Sequence, residues 1–315
     1  MVIKKPTIAI VIPTYRLDYL AEWGRVWKHE FDRPDLIVLP VWDRQPNPDI
    51  DFIRDWPLAG NTTWLFKETI EEYWGRDAWI ASMWNGAVRS FGIWYAAKVL
   101  GVEIIIGLDD DCFPCGSFLQ FHLGRLREFV SDGPWVQTCD IYTRGFPYQV
   151  RGSMPVVLNH GMWVGYPDVD APTRLVLPEL KFGLEDGEKI PSRIFPQHSY
   201  FPFCAMNYAV KTEAAVTLYQ GLQGRDYPYT RFDDIWAGIL FKKIADHLGY
   251  AASSGRPLVQ HQRASNIWSY YAQESAGLVA NEQFWRVVDS CQLRGDTWAG
   301  CYRELAQWVE VMGGL

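Results

Sequence analysis

No cysteine spacing in the sequence reads as a disulfide framework; the six cysteines are scattered, and only Cys112 and Cys115 form a CxxC. No apolar run approaches the roughly 18 residues of a membrane span. The start, MVIKKPTIAIVIP, lacks the apolar core and cleavage site of a signal peptide. No stretch is rich in Lys or Arg, and the net charge is −7, which excludes a nucleic-acid footprint. G-x-G-x-x-G and G-x-x-x-x-G-K-[ST] are both missing, which counts against a dinucleotide oxidoreductase and a P-loop enzyme. Repeats and low-complexity linkers are missing too. A reduced, cytoplasmic compartment is the expectation, with no membrane span and no nucleic-acid partner.

What the chain does have is apolar and aromatic mass. Of 315 residues, 48% are hydrophobic and 15% aromatic, ample for one large catalytic domain. Short β-branched runs alternate with helical stripes. Strands are expected over Thr7–Ile12, Leu36–Trp42, Ile104–Leu108, Trp135–Cys139, Phe201–Tyr208 and Leu258–His261. Helices are expected over Leu17–Phe31, Trp64–Trp74, Trp84–Leu100 closed by Gly101, Phe118–Phe129, and Ile235–Leu248 ended by Gly249. Strand–helix–strand order at this spacing implies right-handed crossovers and a mostly parallel, Rossmann-like α/β sheet. The expected division is a catalytic domain over 1–270 and a helical extension over 271–315, whose several tryptophans show no chemistry.

The rest of the chain is organised around VEIIIGLDDDCFP. A buried strand ends there in Asp109, Asp110 and Asp111. Adjacent carboxylates repel unless a cation or hydrogen-bond donors sit among them, and open α/β sheets bind ligands beyond the carboxyl ends of their strands. Mg²⁺ or Mn²⁺ holding a diphosphate fits such a cluster; an exposed acidic turn has the same composition. The CxxC that follows has no second pair, which leaves zinc or redox chemistry without support. The first strand leads into Pro13, Thr14 and Arg16, and the second into Asp43. Asn85 and Arg89 lie four apart and share a helix face, from which an Arg could reach a diphosphate.

From Thr143 the pattern becomes irregular. Arg144-Gly145 and Arg151-Gly152 flank a Phe-Pro-Tyr turn, and the stretches around His160, Trp163 and Asp170 have the density of polar and aromatic groups of a sugar-contacting surface, or of a plain loop. Asn207 ends a buried strand. Asp233 and Asp234 open a strongly apolar helix, where they could equally serve as caps. His261 ends the last strand, where it could complete a metal site with Asp111.

Taken in order, DDDCF, TRGFPY with VRGS, NHGMW, PDVDAPT, FPFCAMN, RFDDIWAG and HQRASN resemble the reversibly glycosylated polypeptide or UDP-arabinopyranose mutase family, glycosyltransferase family 75. The resemblance runs from about Ile8 to Asn266 and is most specific from Asp109 onward. It implies a GT-A nucleotide-sugar fold, a Mn²⁺ or Mg²⁺ ion, UDP-sugar substrates, and interconversion of UDP-arabinopyranose with UDP-arabinofuranose. Family members also glycosylate themselves reversibly on an arginine that matches Arg144, and a second arginine tied to activity matches Arg151. The sequence departs from the pattern at Trp42-Asp43-Arg44, where a D-G-D-like motif is common, and in the loop after PDVDAPT.

On this reading Asp111, supported by Asp109, and His261 hold the cation on the diphosphate. Arg89 neutralises charge, while Thr14, Arg16 and Asp43 meet uracil and ribose. His160, Trp163 and Asp170 shape the sugar pocket. Asp233 or Asp234 is the base, and it activates the Arg144 guanidinium if the sugar is held there. Two alternatives stay open: a glycosyltransferase with a separate acceptor, and a UDP-sugar-binding protein without turnover. Nothing fixes the preferred sugar, and assembly into a homo-oligomer is left open.

Overall fold

Unbroken apolar runs start the fold. In this computed structural model, which describes residues 6–313 apart from 82, 132–134, 136–142, 225 and 263–265, β1 (Ile8–Thr14) and β2 (Leu36–Trp42) pair in parallel around α1 (Leu17–Phe31). Leu20, Trp23, Trp27 and Phe31 recur at helical spacing and are fully buried. Trp27 stacks on Phe31 with centroids 4.7 Å apart and donates its indole N–H to the Cys112 carbonyl at 3.0 Å. Truncating such a tryptophan costs about 3–5 kcal/mol.

Helices α2 (Ile50–Asp55) and α3 (Lys67–Trp74) follow, then α4 (Val88–Trp94), which continues as a π-helix over Tyr95–Leu100 and ends at left-handed Gly101. The helix expected from Trp84 starts later. Trp84 has a φ of 65°, and Asn85 turns its side-chain oxygen back onto the Ala87 N–H at 3.0 Å, so the Asn-Gly pair makes a turn. The central strand β3 (Ile104–Leu108) follows, and the acid triplet forms the turn into β4 (Cys112–Cys115). Next come α5 (Phe118–Arg125) and β5 (Phe129–Val130), so the helix stops short of Phe129 and the chain joins a small sheet. The strand expected over Trp135–Cys139 lies, from 136 on, outside the described residues.

β6 (Met154–Gly165) overturns a loop expectation. Its polar Asn159 and His160 disguise a buried strand. Asn159 donates to His122 Nδ1 and to the Arg256 carbonyl and accepts from Ser253, so burial leaves it satisfied. The chain continues through α6 (Ala171–Val176), α7 (Leu184–Glu188), β7 (Arg193–Ile194), β8 (Asn207–Lys211), α8 (Thr212–Ala215), α9 (Asp233–His247), β9 (Ala251–His261), α10 (Ile267–Ser290) and α11 (Trp298–Gly313). The line between residues 270 and 271 falls inside the first turns of α10.

The main sheet runs β2-β1-β3-β8-β6-β9-β4, with β5 and β7 attached to β6 and β9. On that path β2, β1, β3, β6 and β9 point one way, and β8 and β4 the other, so the sheet is mixed but mostly parallel. α1 and α5 cover one face, packing on Ile10, Ile12 and Ile106. α4 and α9 cover the other, around Val11, Val41 and Tyr208, with α11 packed on α9. Antiparallel β8 beside β3 brings the 201–206 stretch against the acids: Asp109 N–H donates to the Met206 carbonyl at 3.3 Å. The expected strand over Phe201–Tyr208 therefore begins only at Asn207, and the residues before it form a wall of the site.

Candidate active site

Consecutive residues in a tight turn point apart, and the three acids take three different partners. Asp110 is 3% exposed and turns inward. It accepts from Thr14 Oγ1 at 2.6 Å, from Arg16 Nε at 3.2 Å and from an Arg16 Nη. Burial still raises its pKa above the ordinary carboxylate value. Asp109 takes Arg89, a buried arginine that also donates to the Ala205 carbonyl. Burial works against the Arg89 charge, but Asp109, with Tyr208 and Asp234, outweighs it and the pKa ends above its usual value. Asp111 accepts from Arg16 at 3.0 Å through one oxygen. Its other oxygen, Oδ1, is buried and has no hydrogen-bond partner among the described residues.

That orphan oxygen faces His261 Nε2 at 3.9 Å, and His261 Nδ1 lies 2.7 Å from the Tyr166 carbonyl. A carbonyl only accepts, so Nδ1 carries a hydrogen, and in the neutral tautomer this leaves the lone pair on Nε2, on the side of Asp111. Burial and the charge of Asp109 lift Asp111 to about 6. An unpartnered carboxylate oxygen beside an imidazole lone pair suits a hard divalent cation. No group of three His, Cys, Asp or Glu side chains close enough to hold a metal occurs among the described residues, so other ligands would come from substrate and water.

These acids open on a cavity of about 1050 Å³ lined by Pro13, Tyr15, Arg16, Arg89, Asp109, Asp111 and His261 on one side. His160, Trp163, Asp168, Asp170, Asp233 and Asp234 line it too. His160 Nε2 accepts from the Cys204 N–H at 3.3 Å, so Nδ1 donates to Ser254 at 3.0 Å; burial holds its pKa down to about 4 and keeps it neutral. Asp233 and Asp234 are the first residues of α9, and Phe232, not Asp233, holds the cap position. Asp234 accepts from Ala205 N at 2.9 Å and Ile235 N at 2.8 Å, yet burial, with the charges of Asp233 and Asp168, lifts it to about 8. Burial raises Asp233 as well. Gly86 lies against Asp233: a Cβ there would stand 1.7 Å from Asp233 Oδ2.

Several expected site residues do not line this cavity. Thr14 and Asp110 are bonded to each other beneath it. Asp43, which burial pushes up to about 6, accepts from the Trp84 N–H and from Arg44 at 3.2 Å. Asn85 accepts from Ala87 and Gln223 backbone N–H groups. Asn207 is fully buried, accepts from His122 Nε2 at 3.0 Å and donates to the Met162 and Pro257 carbonyls. Asp170 reaches the cavity but spends both oxygens capping α6 on Thr173. The Pro at the start of α6 is a helix-start signal that marks Asp170 as a cap, while Asp168 of the same motif lies beside Cys204 and Asp234. Tyr270 and Glu274 of α10 also line the wall, Glu274 from the extension without expected chemistry.

The family model described as "Reversibly glycosylated polypeptide" matches residues 3–314. The chain belongs to this family. Among its curated relatives, "Probable UDP-arabinopyranose mutase 1" of Pisum sativum is 31% identical over 97% of this chain and 84% of the relative. "UDP-arabinopyranose mutase 1" of Arabidopsis thaliana is 31% identical over 97% and 86%. A solved glucosyl-3-phosphoglycerate synthase from Mycobacterium tuberculosis, in complex with Mn²⁺ and UDP-glucose, is similar at a TM-score of 0.48 and 13% identity over 89% of this chain and 79% of that one. A likeness at that level fixes neither ligand nor mechanism.

The two arginines singled out by the family resemblance lie elsewhere. Arg144 is exposed on a turn and does not line the cavity. Arg151 donates to the Phe146 carbonyl at 2.8 Å and stacks over Tyr148 at 3.8 Å, also off the cavity wall. The structure therefore does not bring Arg144 to the Asp233–Asp234 pair.

Proposed function

We propose that this chain is a UDP-sugar mutase interconverting UDP-arabinopyranose and UDP-arabinofuranose inside the one cavity. The reading is carried by whole-length kinship with proteins named for that activity, 31% identical over 97% of the chain. The acid-lined cavity beyond β3 supports it. Asp111 and His261, with Asp109 beside them, would hold Mn²⁺ or Mg²⁺. When bound, that ion supplies positive charge against a diphosphate leaving group. Arg89 adds a fixed charge next to Asp109, and Tyr15 and Arg16 flank the same mouth, where the nucleotide would lie.

Ring contraction exchanges the C1–O5 bond of the sugar for a C1–O4 bond. The anomeric bond to UDP breaks and re-forms, O5 gains a proton and O4 loses one. A carboxyl pair holding a single proton can serve both oxygens. Asp234, lifted to about 8, carries a proton at neutral pH, and Asp233 beside it takes the ionised role. His160, neutral and hydrogen-bonded on both nitrogens, and Trp163 supply a wall that adds no competing charge.

Self-glycosylation at Arg144 is a separate part of the proposal. It requires an arrangement of the 143–152 stretch other than the one seen, because Arg144 stands outside the cavity. The five described cysteines are free thiols, in keeping with a cytoplasmic enzyme. The test is incubation with UDP-arabinopyranose and Mn²⁺ and no acceptor, with separation of the products. A furanose isomer is expected. Release of UDP without isomer would point to a transferase or hydrolase and end the mutase reading.

A further inference from the structure

The helical extension over 271–315 is expected to carry no chemistry, yet α10, which opens it, forms part of the cavity wall. Glu274 of α10 is 6% exposed and splits its carboxylate between two elements. One oxygen accepts from the Ala171 N–H at 2.7 Å, at the start of α6; the other accepts from Arg231 Nε at 2.9 Å, just ahead of Asp233. Tyr270, one turn earlier on the same helix, lies under the Arg231 guanidinium at 3.8 Å. Arg231 has a φ of 69°, a left-handed conformation for a residue with a Cβ. Such a conformation persists where its surroundings impose it, most often at functional sites.

The consequence is a fixed donor fork. With Nε taken by Glu274 and the plane set by Tyr270, the two Nη groups of Arg231 have no hydrogen-bond partner among the described residues, and Arg231 lines the cavity. They stand in the chain two and three residues before the acids proposed to move the proton. A planar guanidinium offers two parallel N–H groups spaced to meet two neighbouring oxygens. Arg174, by contrast, spends its Nη groups on the Leu180 and Pro167 carbonyls.

We infer that Arg231 binds two neighbouring hydroxyls of the sugar ring and that Glu274, through Nε, is its positioning residue. This rests on the UDP-sugar reading of the cavity and deepens it: sugar recognition is assigned to a side chain oriented by the last third of the chain.

The test is calorimetry of the full-length protein with Mn²⁺, titrating UDP and UDP-arabinopyranose separately into wild type, Arg231→Lys, Glu274→Gln and the double variant. Arg231→Lys should bind UDP as wild type does and lose about tenfold or more for the UDP-sugar, the size of one or two charge-assisted hydrogen bonds. Glu274→Gln should lose part of the same increment, and the double variant no more than Arg231→Lys alone, because both act through one guanidinium. Equal losses for UDP and UDP-sugar in Arg231→Lys would make the arginine structural and overturn the inference, as would no loss for either. Additive losses in the double variant would overturn the positioning role of Glu274. The parent reading fails separately: wild type that binds UDP-arabinopyranose but forms no isomer removes the mutase activity and leaves this comparison intact.

Discussion

Asp110 and Asp111 are neighbours with the same side chain, yet they should fail in opposite ways when each is changed to Asn. Asp110 accepts from Thr14 at 2.6 Å and from Arg16 through both oxygens, and is nearly inaccessible. An Asn there keeps one carbonyl oxygen for Thr14 and Arg16 Nε but turns an NH₂ toward the Arg16 Nη, donor against donor. Losing a charge-assisted bond costs about 1.5–3 kcal/mol, and breaking a buried pair by removing one partner about 3–5 kcal/mol. Arg16 retains Asp111, and Asn escapes the burial penalty of a charge, so the expected loss for Asp110→Asn is about 2–4 kcal/mol. Asp111→Asn can keep its amide oxygen on Arg16 and gives up an oxygen with no partner among the described residues, while easing the repulsion from Asp109 and Asp110, so its cost should stay below about 1 kcal/mol. Denaturant unfolding of metal-free protein measures the first difference, and calorimetry of UDP with Mn²⁺ the second: Asp111→Asn should lose metal-dependent binding that Asp110→Asn, at temperatures where it is folded, retains in part. Equal stabilities for the two variants, or unchanged UDP affinity in Asp111→Asn, would refute the division of labour.

Gly86→Ala places a methyl group where Asp233 Oδ2 now sits, so isomerisation should fall at least tenfold while the melting temperature moves little; a fully active variant would show that Asp233 is free to move. Folded Asp234 keeps a proton up to about pH 8 that the unfolded chain releases near pH 4, so the folded state loses relative stability as pH rises through that window. Buried His160, held near 4, acts in the opposite sense only between about pH 4 and 6.5, so the comparison belongs at pH 7 and 8: wild type should lose up to about 1 kcal/mol relative to Asp234→Asn between them, and parallel curves would contradict the raised pKa. Peptide mapping after incubation with UDP-sugar should find the pentose on the Arg144 peptide, lost in Arg144→Lys, which should still bind UDP with metal; an adduct elsewhere ends that assignment.

How far the sequence reached depends on whether a residue's job is local. α1 and β2 were readable to the residue, because period and flanking turns decide them within a few positions. β6 was not, because its interior carries Asn159 and His160, whose hydrogen-bond partners come from α5, β9 and the stretch before β8. Once such partners exist, a polar residue costs a buried strand little, and nothing in a single sequence announces them. Trp84–Ala87 erred the other way: the Asn-Gly turn signal was present, but the strong apolar period beyond it carried the helix too far back. At the site, the acids and His261 were legible from strand-end position. Asn207 and Asn85 were misplaced because a strand end and a helix face do not say whether an amide is spent on backbone. Arg231, Tyr270 and Glu274 could not be found at all, since a helix that begins only at Ile267 sets the arginine's direction.

The acid triplet shows why counting carboxylates in a motif is a poor count of ligands. Asp109 and Asp110 are each occupied by an arginine, and Arg16 reaches across to one oxygen of Asp111. With all three ionised, the two guanidiniums leave the turn one negative charge in excess, concentrated on the Asp111 oxygen facing His261. A diphosphate approaching Arg16 and Arg89 meets that excess first, at short range and with little water between, where like charges are costly. A divalent cation between Asp111 and His261 would reverse the local sign and leave both arginines aimed at a ligand the bare turn repels. On the proposed function, then, nucleotide affinity should be metal-dependent because of this one unpaired oxygen. The arginines, already committed to Asp109 and Asp110, preserve the shape of the turn more than they attract the ligand.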